Sequence, residues 1–201
     1  MQVRIGVLSS LLSVMSALSI APRAANAQVP VSPPEPRAEL AVAYSFLHSN
    51  APPGGCACFN LNGGSATLAL PVKSGTFAFV GDIDFGHNNG ISSGNYTLTL
   101  GTFTAGVRYR PLREPRLFQP FAQILVGLAY ANGSLVQGTA PAASNAGGAF
   151  AASAGGGVDL RLNQRFSLRL VEADYLATTF DNGVNNHQNI FHIGAGLVFH
   201  F

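Results

Sequence analysis

The chain has 201 residues, of which only 10% are charged and 47% hydrophobic, with 23 glycines, 12 prolines and a formal charge of +2. An ordinary soluble domain carries about 25% charged residues, yet no run here approaches the ~20 apolar residues of a membrane helix. The near-neutral balance argues against a nucleic-acid partner, and few charges without a spanning helix fit strands whose alternate side chains face lipid. A secreted β-sandwich is the rival reading.

Residues 1–27 have the three parts of a secretory signal: Arg4, an apolar stretch from Ile5 to Ile20, and the small residues of Ala25-Asn26-Ala27. Cleavage after Ala27 is the expectation, and it leaves 174 exported residues, about one domain. Without Arg4 and Arg23 the remaining 9 basic and 9 acidic residues balance. Residues 28–36 (QVPVSPPEP) hold four prolines, which remove donors and keep the backbone extended, so this stretch reads as a lead. The ordered domain is expected over residues 37–201.

Eight segments of that domain alternate with period two. In the first, Leu40, Val42, Tyr44 and Phe46 oppose Glu39, Ala41, Ala43 and Ser45. After the loop HSNAPPGGCACFN comes a weaker segment from Asn60 to Leu70, with Ala66, Leu68 and Leu70 on one face. A short turn at Pro71 to Gly75 leads to the third, where Phe77, Phe79, Gly81, Ile83 and Phe85 share a face opposite Asp82 and Asp84. HNNGISSG, His87 to Gly94, reads as loop by composition. The fourth, Asn95 to Arg110, changes phase between Leu98, Leu100 and Phe103, Ala105, Val107, which predicts a bulge near Gly101.

Beyond the short link PLREPR, the fifth segment runs from Leu117 to Ala131 with Ala122, Ile124, Val126, Leu128 and Tyr130 together. Residues Asn132 to Gly147 form the longest loop. The sixth, Gly148 to Leu162, sets Phe150, Ala152, Ala154 and Val158 against Gly155, Gly157, Asp159 and Arg161. After a tight turn at Asn163-Gln164, the seventh begins with Phe166, Leu168 and Leu170 against Arg169. It then shifts near Val171 so that Glu172 and Asp174 join Arg169, which predicts a second bulge. The eighth ends HIGAGLVFHF, with Ile193, Ala195, Leu197, Phe199 and Phe201 on one face and His192 and His200 on the other.

Long polar loops follow segments one, three, five and seven, and short turns follow two, four and six. That asymmetry is the pattern of an up-and-down membrane barrel, short turns on the periplasmic side and long loops outside. The stretches PFAQILVGLAYANG (120–133), AGGGVDLRLNQRFSLRLVEADYL (154–176) and GLVFHF (196–201) resemble the small eight-stranded outer-membrane barrels of the OmpA-like type, a single-domain bacterial group. The similarity of pattern covers nearly all of the mature chain. It implies an all-β, eight-stranded antiparallel up-and-down transmembrane barrel in the bacterial outer membrane, in contact with its lipid. It also implies that Leu197, Phe199 and Phe201 act as the signal read by the barrel assembly machinery. Nothing in the sequence after the barrel corresponds to a peptidoglycan-binding domain, so none is expected.

An eight-stranded barrel is just filled by its own side chains. The inward polar set expected from the phasing includes Asp82, Asp84, Arg108, Asp159, Arg161, Arg169, Glu172, Asp174, His192 and His200, with Glu39 and Gln123. Buried charges must be paired or hydrated, and the depths of these residues predict an acidic outer lumen and a basic inner rim. Cys56 and Cys58 fall short of a four-ligand metal site and read as a local disulfide or inert thiols. Asp82 and Asp84 share a face, as a lumen ion-pair cluster would require, and no metal or cofactor is expected. The histidines raise a hydrolase reading, but His48 and Ser49 point oppositely on an extended chain, and His192 and His200 face a packed lumen, so no catalytic residue is expected. Gly155-Gly156-Gly157 lies in a strand pattern with no helix after it, and close packing or curvature accounts for it.

The function expected is therefore structural or surface-interacting, through outer loops, with an unidentified extracellular ligand. A narrow ion or solute channel is the alternative, and a lipid-modifying enzyme a more distant one.

Overall fold

A computed structural model describes residues 38–50, 58–72, 75–91, 96–111, 116–133, 145–180 and 187–201. They form eight strands: β1 (Glu39–Ser49), β2 (Phe59–Pro71), β3 (Phe77–Ile91), β4 (Tyr96–Tyr109), β5 (Phe118–Gly133), β6 (Asn145–Arg161), β7 (Phe166–Thr178) and β8 (Gln188–His200). Each pairs antiparallel with the next, and β8 returns to β1 over the register Glu39↔His200 to Ser49↔Ile190, closing a barrel in chain order. Closure gives the edge strands partners, which is the condition for crossing hydrocarbon with strands. At the long-loop end the β1/β8 seam is latched by side chains: Asn189 N–H donates to Asn50 Oδ1 at 2.9 Å and Gln188 Nε2 to Ser49 Oγ at 2.8 Å.

Alternation along each strand divides the wall into two faces. Val42, Leu68, Phe79, Ile124, Val126, Leu128 and Phe150 point outward and are half or more exposed in several cases, Ile124 at 68%. Aromatic rings line the short-turn end of this face, where Phe77 packs on Tyr109 at 5.2 Å and Phe166 on Phe199 at 5.3 Å between centroids. The inward face carries the buried charges, among them Arg108, Asp159, Arg169 and Glu172. Such a molecule is inside out by the standards of a water-soluble core.

The bulge expected in the seventh segment is present. Asp159 pairs with Arg169 while Val158 pairs with Val171, and the shift recurs against β8 between Arg169 and Glu172. The one expected near Gly101 is not: β4 runs in unbroken register with β5 from Leu98 to Tyr109. The phase change is real in hydrophobicity only. Leu98 and Leu100 point inward on the same side as Thr102, Thr104 and Arg108. The irregularity on this side of the barrel lies instead in β3, between Asn88 and Ile91.

The stretch expected as a loop from His87 continues as strand to Ile91. Asn88 Nδ2 donates to the Asn60 carbonyl at 2.7 Å and Asn88 Oδ1 accepts from Gly90 N–H at 2.9 Å, so side-chain bonds carry the chain through a composition that favours turns. The second outer connection is therefore only 92–95, as short as the turns opposite, and the 110–117 link is longer than expected. The leader, the proline-rich lead and Cys56 lie outside the described residues. Cys58 is exposed just before β2.

Candidate functional site

The lumen is built in layers, beginning at the short-turn end. There Arg110, one residue past β4, pairs with Glu39 of β1 and, through Nη2, with Asp159 Oδ2 of β6 at 3.0 Å. Glu39 also faces His200 Nδ1 at 3.4 Å, and His200 Nε2 lies 2.8 Å from Ser167 Oγ. Serine, histidine and carboxylate thus stand in the order of a hydrolytic relay. Ser167 is wholly buried, however, and a substrate carbonyl has no room to approach its hydroxyl.

Above this layer Arg169 is completely enclosed. Its Nε donates to Asp159 Oδ1 at 2.9 Å and its Nη1 to Glu172 Oε2 at 2.8 Å. The β7 bulge makes this possible, because it lets Arg169 and Glu172, an odd-even pair in number, face the same side. Arg108 gives Nε and Nη2 to Gln123 Oε1 at 3.0 and 2.8 Å, and Gln123 Nε2 passes the chain on to Glu172 Oε1 at 2.7 Å. The two guanidiniums lie over the Phe121 ring, with Cζ 4.3 Å from its centroid for Arg108 and 4.6 Å for Arg169. Facing the ring quadrupole, both guanidiniums are attracted to the same aromatic face.

Phe121 fits because the facing strand is bare. A Cβ on Gly157 would meet Phe121 Cζ at 2.8 Å and the Val171 carbonyl oxygen at 2.3 Å, and one on Gly155 would meet the Ala173 carbonyl oxygen at 2.2 Å. The glycine run serves close packing.

At mid-height His192 of β8 bridges two strands, Nε2 to Asp84 Oδ2 at 3.1 Å and Nδ1 to Asp174 Oδ2 at 3.4 Å. Ser45 donates to Asp84 Oδ2 at 2.6 Å and Thr67 to Asp82 Oδ1 at 2.7 Å. The cavity among these groups has a volume of about 20 Å³, room for about one water. Among the described residues no group of three His, Cys, Asp or Glu side chains is placed to hold a metal ion.

The outermost layer is apolar: Leu47, Leu61, Ile91, Leu98, Leu100, Leu176 and Ile190 form one buried cluster across the lumen. The acidic outer lumen expected from the sequence is thus displaced. The acids sit at mid-height beneath an apolar plug, and the inner end is mixed, with Glu39 and Asp159 among the arginines. Of the expected set, Asp82, Asp84, Arg108, Asp159, Arg169, Glu172, Asp174, His192 and His200 come together. Arg161 stays half-buried at the rim, outside these pairs.

No protein-family model matches the sequence, and no curated protein matches it. Solved structures do. Neisserial surface protein A is similar at a TM-score of 0.62 and 12% identity, over 82% of this chain and 97% of that one. Ail, the attachment invasion locus protein of Yersinia pestis, is similar at a TM-score of 0.54 and 14% identity, over 82% and 99%. The fold is that of the small eight-stranded outer-membrane barrels. On that scaffold Leu197 and Phe201, two of the residues expected as an assembly signal, are exposed outward, and the third, Phe199, packs edge-on against Phe166.

Two members of the barrel's network escaped the sequence. Phe121 shares the inward parity of Gln123, but a network expected from polar side chains alone omits an aromatic ring among the guanidiniums. Arg110 follows the last alternating residue of β4, and its partner Glu39 is 71 positions away.

Proposed function

We propose that the chain is an outer-membrane barrel, exported under its leader, that serves a structural or surface-interaction role without catalytic activity. The observation that carries this reading is an apolar outer wall around a lumen closed in series by the Arg108–Phe121–Arg169 layer and the leucine-rich plug. An apolar wall of this extent is costly in water and matched to hydrocarbon. A mid-height cavity with room for about one water, between buried side-chain layers, is unsuited to solute passage, and the enclosed Ser167 is unsuited to hydrolysis. Recognition then falls to the connections at the long-loop end, since loops on a rigid scaffold carry binding. The names of the two similar barrels, a surface protein and an attachment protein, are in keeping with this.

The outward side chains Leu197, Phe199 and Phe201 are assigned to the barrel assembly machinery, and Phe201→Ala is expected to slow insertion in cells while leaving the detergent-refolded barrel intact. The reading as a whole is tested on the mature chain by refolding into detergent. A heat-dependent gel shift and precipitation on detergent removal are expected. Solubility without detergent and no shift would overturn it in favour of a secreted sandwich.

A further inference from the structure

The lipid-facing wall is uneven, and the unevenness falls on one side. On β1 to β4, above the apolar belt, outward positions carry a row of bonded polar groups. Tyr44 Oη donates to Asn62 Oδ1 at 2.5 Å, His48 Nδ1 meets Asn60 Oδ1 at 2.6 Å, and His87 Nδ1 meets Thr99 Oγ1 at 2.8 Å. The pairing registers His48↔Asn60, Asn62↔His87 and His87↔Thr99 place these side chains beside one another across the four strands. None of them is Lys, Arg, Asp or Glu. Imidazole, amide, hydroxyl and phenol in a mutually ordered array suit sugar hydroxyls, which both donate and accept, better than a bare phosphate, which calls for Arg or Lys.

Lower on the same strands the wall is hollow. Ala66, Gly81 and Ala105 form the floor of a groove whose sides are Leu68, Ile83, Phe103 and Leu128, with a volume of about 640 Å³. That is within the range of ligand sites. Asp82 and Thr104 lie beneath the floor, and the Asp82 carboxylate is turned to Thr67. The groove and the polar row share strands: from His87 to Ile83 along β3 is four residues, about 13 Å at the usual strand rise. An amphipathic lipid has this form, a polyhydroxylated head above and an acyl chain below.

We infer that the outer wall of β1 to β5 is a binding site for one glycolipid of the facing leaflet, its sugar on the Tyr44, Asn60, Asn62 and His87 row and an acyl chain in the groove over Gly81. This rests on the membrane reading above. The two observations are independent, one of hydrogen-bonded polar groups and one of shape, and they coincide on the same sector. Tyr130 and Asn132 carry the polar row on to β5, where Asn132 pairs with Thr99, whereas the outward positions on β6 to β8 at this height include Ala146, Gly148, Ala177 and Phe191, with Tyr175 a polar tip among those described.

The test uses the refolded mature barrel in phosphatidylcholine vesicles doped with diglucosyl diacylglycerol, or with phosphatidylglycerol, each carrying a photoactivatable acyl chain. After irradiation, adducts are mapped by peptide mass spectrometry. Insertion is checked separately by protease protection and the heat-dependent gel shift. Several-fold enrichment of glycolipid adducts on β3 and β4 peptides is expected, without enrichment from phosphatidylglycerol. Gly81→Leu is the first variant, because a Cβ there has nothing within 4 Å and the side chain fills the groove without displacing the fold. It should abolish the enrichment while inserting normally. The double variant Asn62→Leu, His87→Leu should lose the preference for the sugar head and keep acyl labelling. Equal labelling around the barrel, unchanged by Gly81→Leu, would overturn the site. Enrichment with phosphatidylglycerol alone would overturn its sugar specificity. Failure of the wild type to insert would overturn the membrane reading instead.

Discussion

Replacing Arg169 by Met isolates the electrostatic core of the barrel. The substitution keeps an unbranched apolar stem over Phe121 and removes the guanidinium that neutralises Asp159 and Glu172. Asp159 retains Arg110 at 3.0 Å, but Glu172 is left with Gln123 and a distant Arg108 at 4.0 Å. Removing one member of a buried pair costs about 3–5 kcal/mol, chiefly because the other charge stays buried without compensation. Retention of the Asp159–Arg110 pair puts the expectation at the lower end, about 3 kcal/mol, or roughly a hundredfold in the unfolding equilibrium. The assay is urea unfolding of the refolded barrel in vesicles, followed by the gel shift and by tyrosine fluorescence. Restoring charge with Arg169→Lys should recover only part of the loss, since Lys cannot make the forked contact. Adding Glu172→Gln to Arg169→Met should recover more than half. A loss below about 1 kcal/mol for Arg169→Met, the range of solvated ion pairs, would mean that water already surrounds the cluster and that the lumen is not closed there.

Other expectations follow from the same geometry. Leu128→Arg, outward and 65% exposed, should cost about 2–4 kcal/mol in vesicles, whereas Asn132→Arg nearer the loops should cost about 0–1; equal, negligible costs would argue that this wall faces water. Gly157→Val places methyls against Phe121 and the Val171 carbonyl, and should lower the midpoint of urea unfolding by more than Gly148→Val, where the nearest atom to a Cβ is 3.9 Å away; the reverse order would refute the packing role of the glycine run. A fluorophosphonate probe should leave Ser167 unlabelled on the folded barrel despite the 2.8 Å contact to His200, and labelling that disappears in Ser167→Ala would reopen the hydrolase reading.

Most of the wall was legible because period two survives wherever one face is apolar and the other polar. In β1, Leu40 to Phe46 against Glu39 to Ser45 gave both the strand and its inner side, and in β7 the apparent mis-step of Glu172 and Asp174 after Arg169 gave the bulge that assembles the buried cluster. Legibility failed where both faces are apolar. Leu98 and Leu100 are as hydrophobic as Phe103 and Val107 but face the plug rather than lipid, so a smooth strand read as a bulged one. Phe121 and Leu125 have the inward parity of Gln123, yet as apolar side chains they carry no sign of the polar network or plug they join. His87 to Ile91 failed differently: the residue types favour turns, and the pairing with β4 together with the non-local bond from Asn88 to the Asn60 carbonyl, which no local pattern encodes, holds them in the sheet.

A membrane-spanning barrel with a sealed lumen carries no ionic current, which single-channel recording in planar bilayers measures. Insertion would be verified on the same preparation by protease protection. No discrete conductance steps are expected from the wild type, and none from Arg169→Met, because the plug of Leu47, Leu98, Leu100 and Leu176 still closes the outer half. Reproducible steps from the inserted wild-type barrel would contradict the sealed lumen.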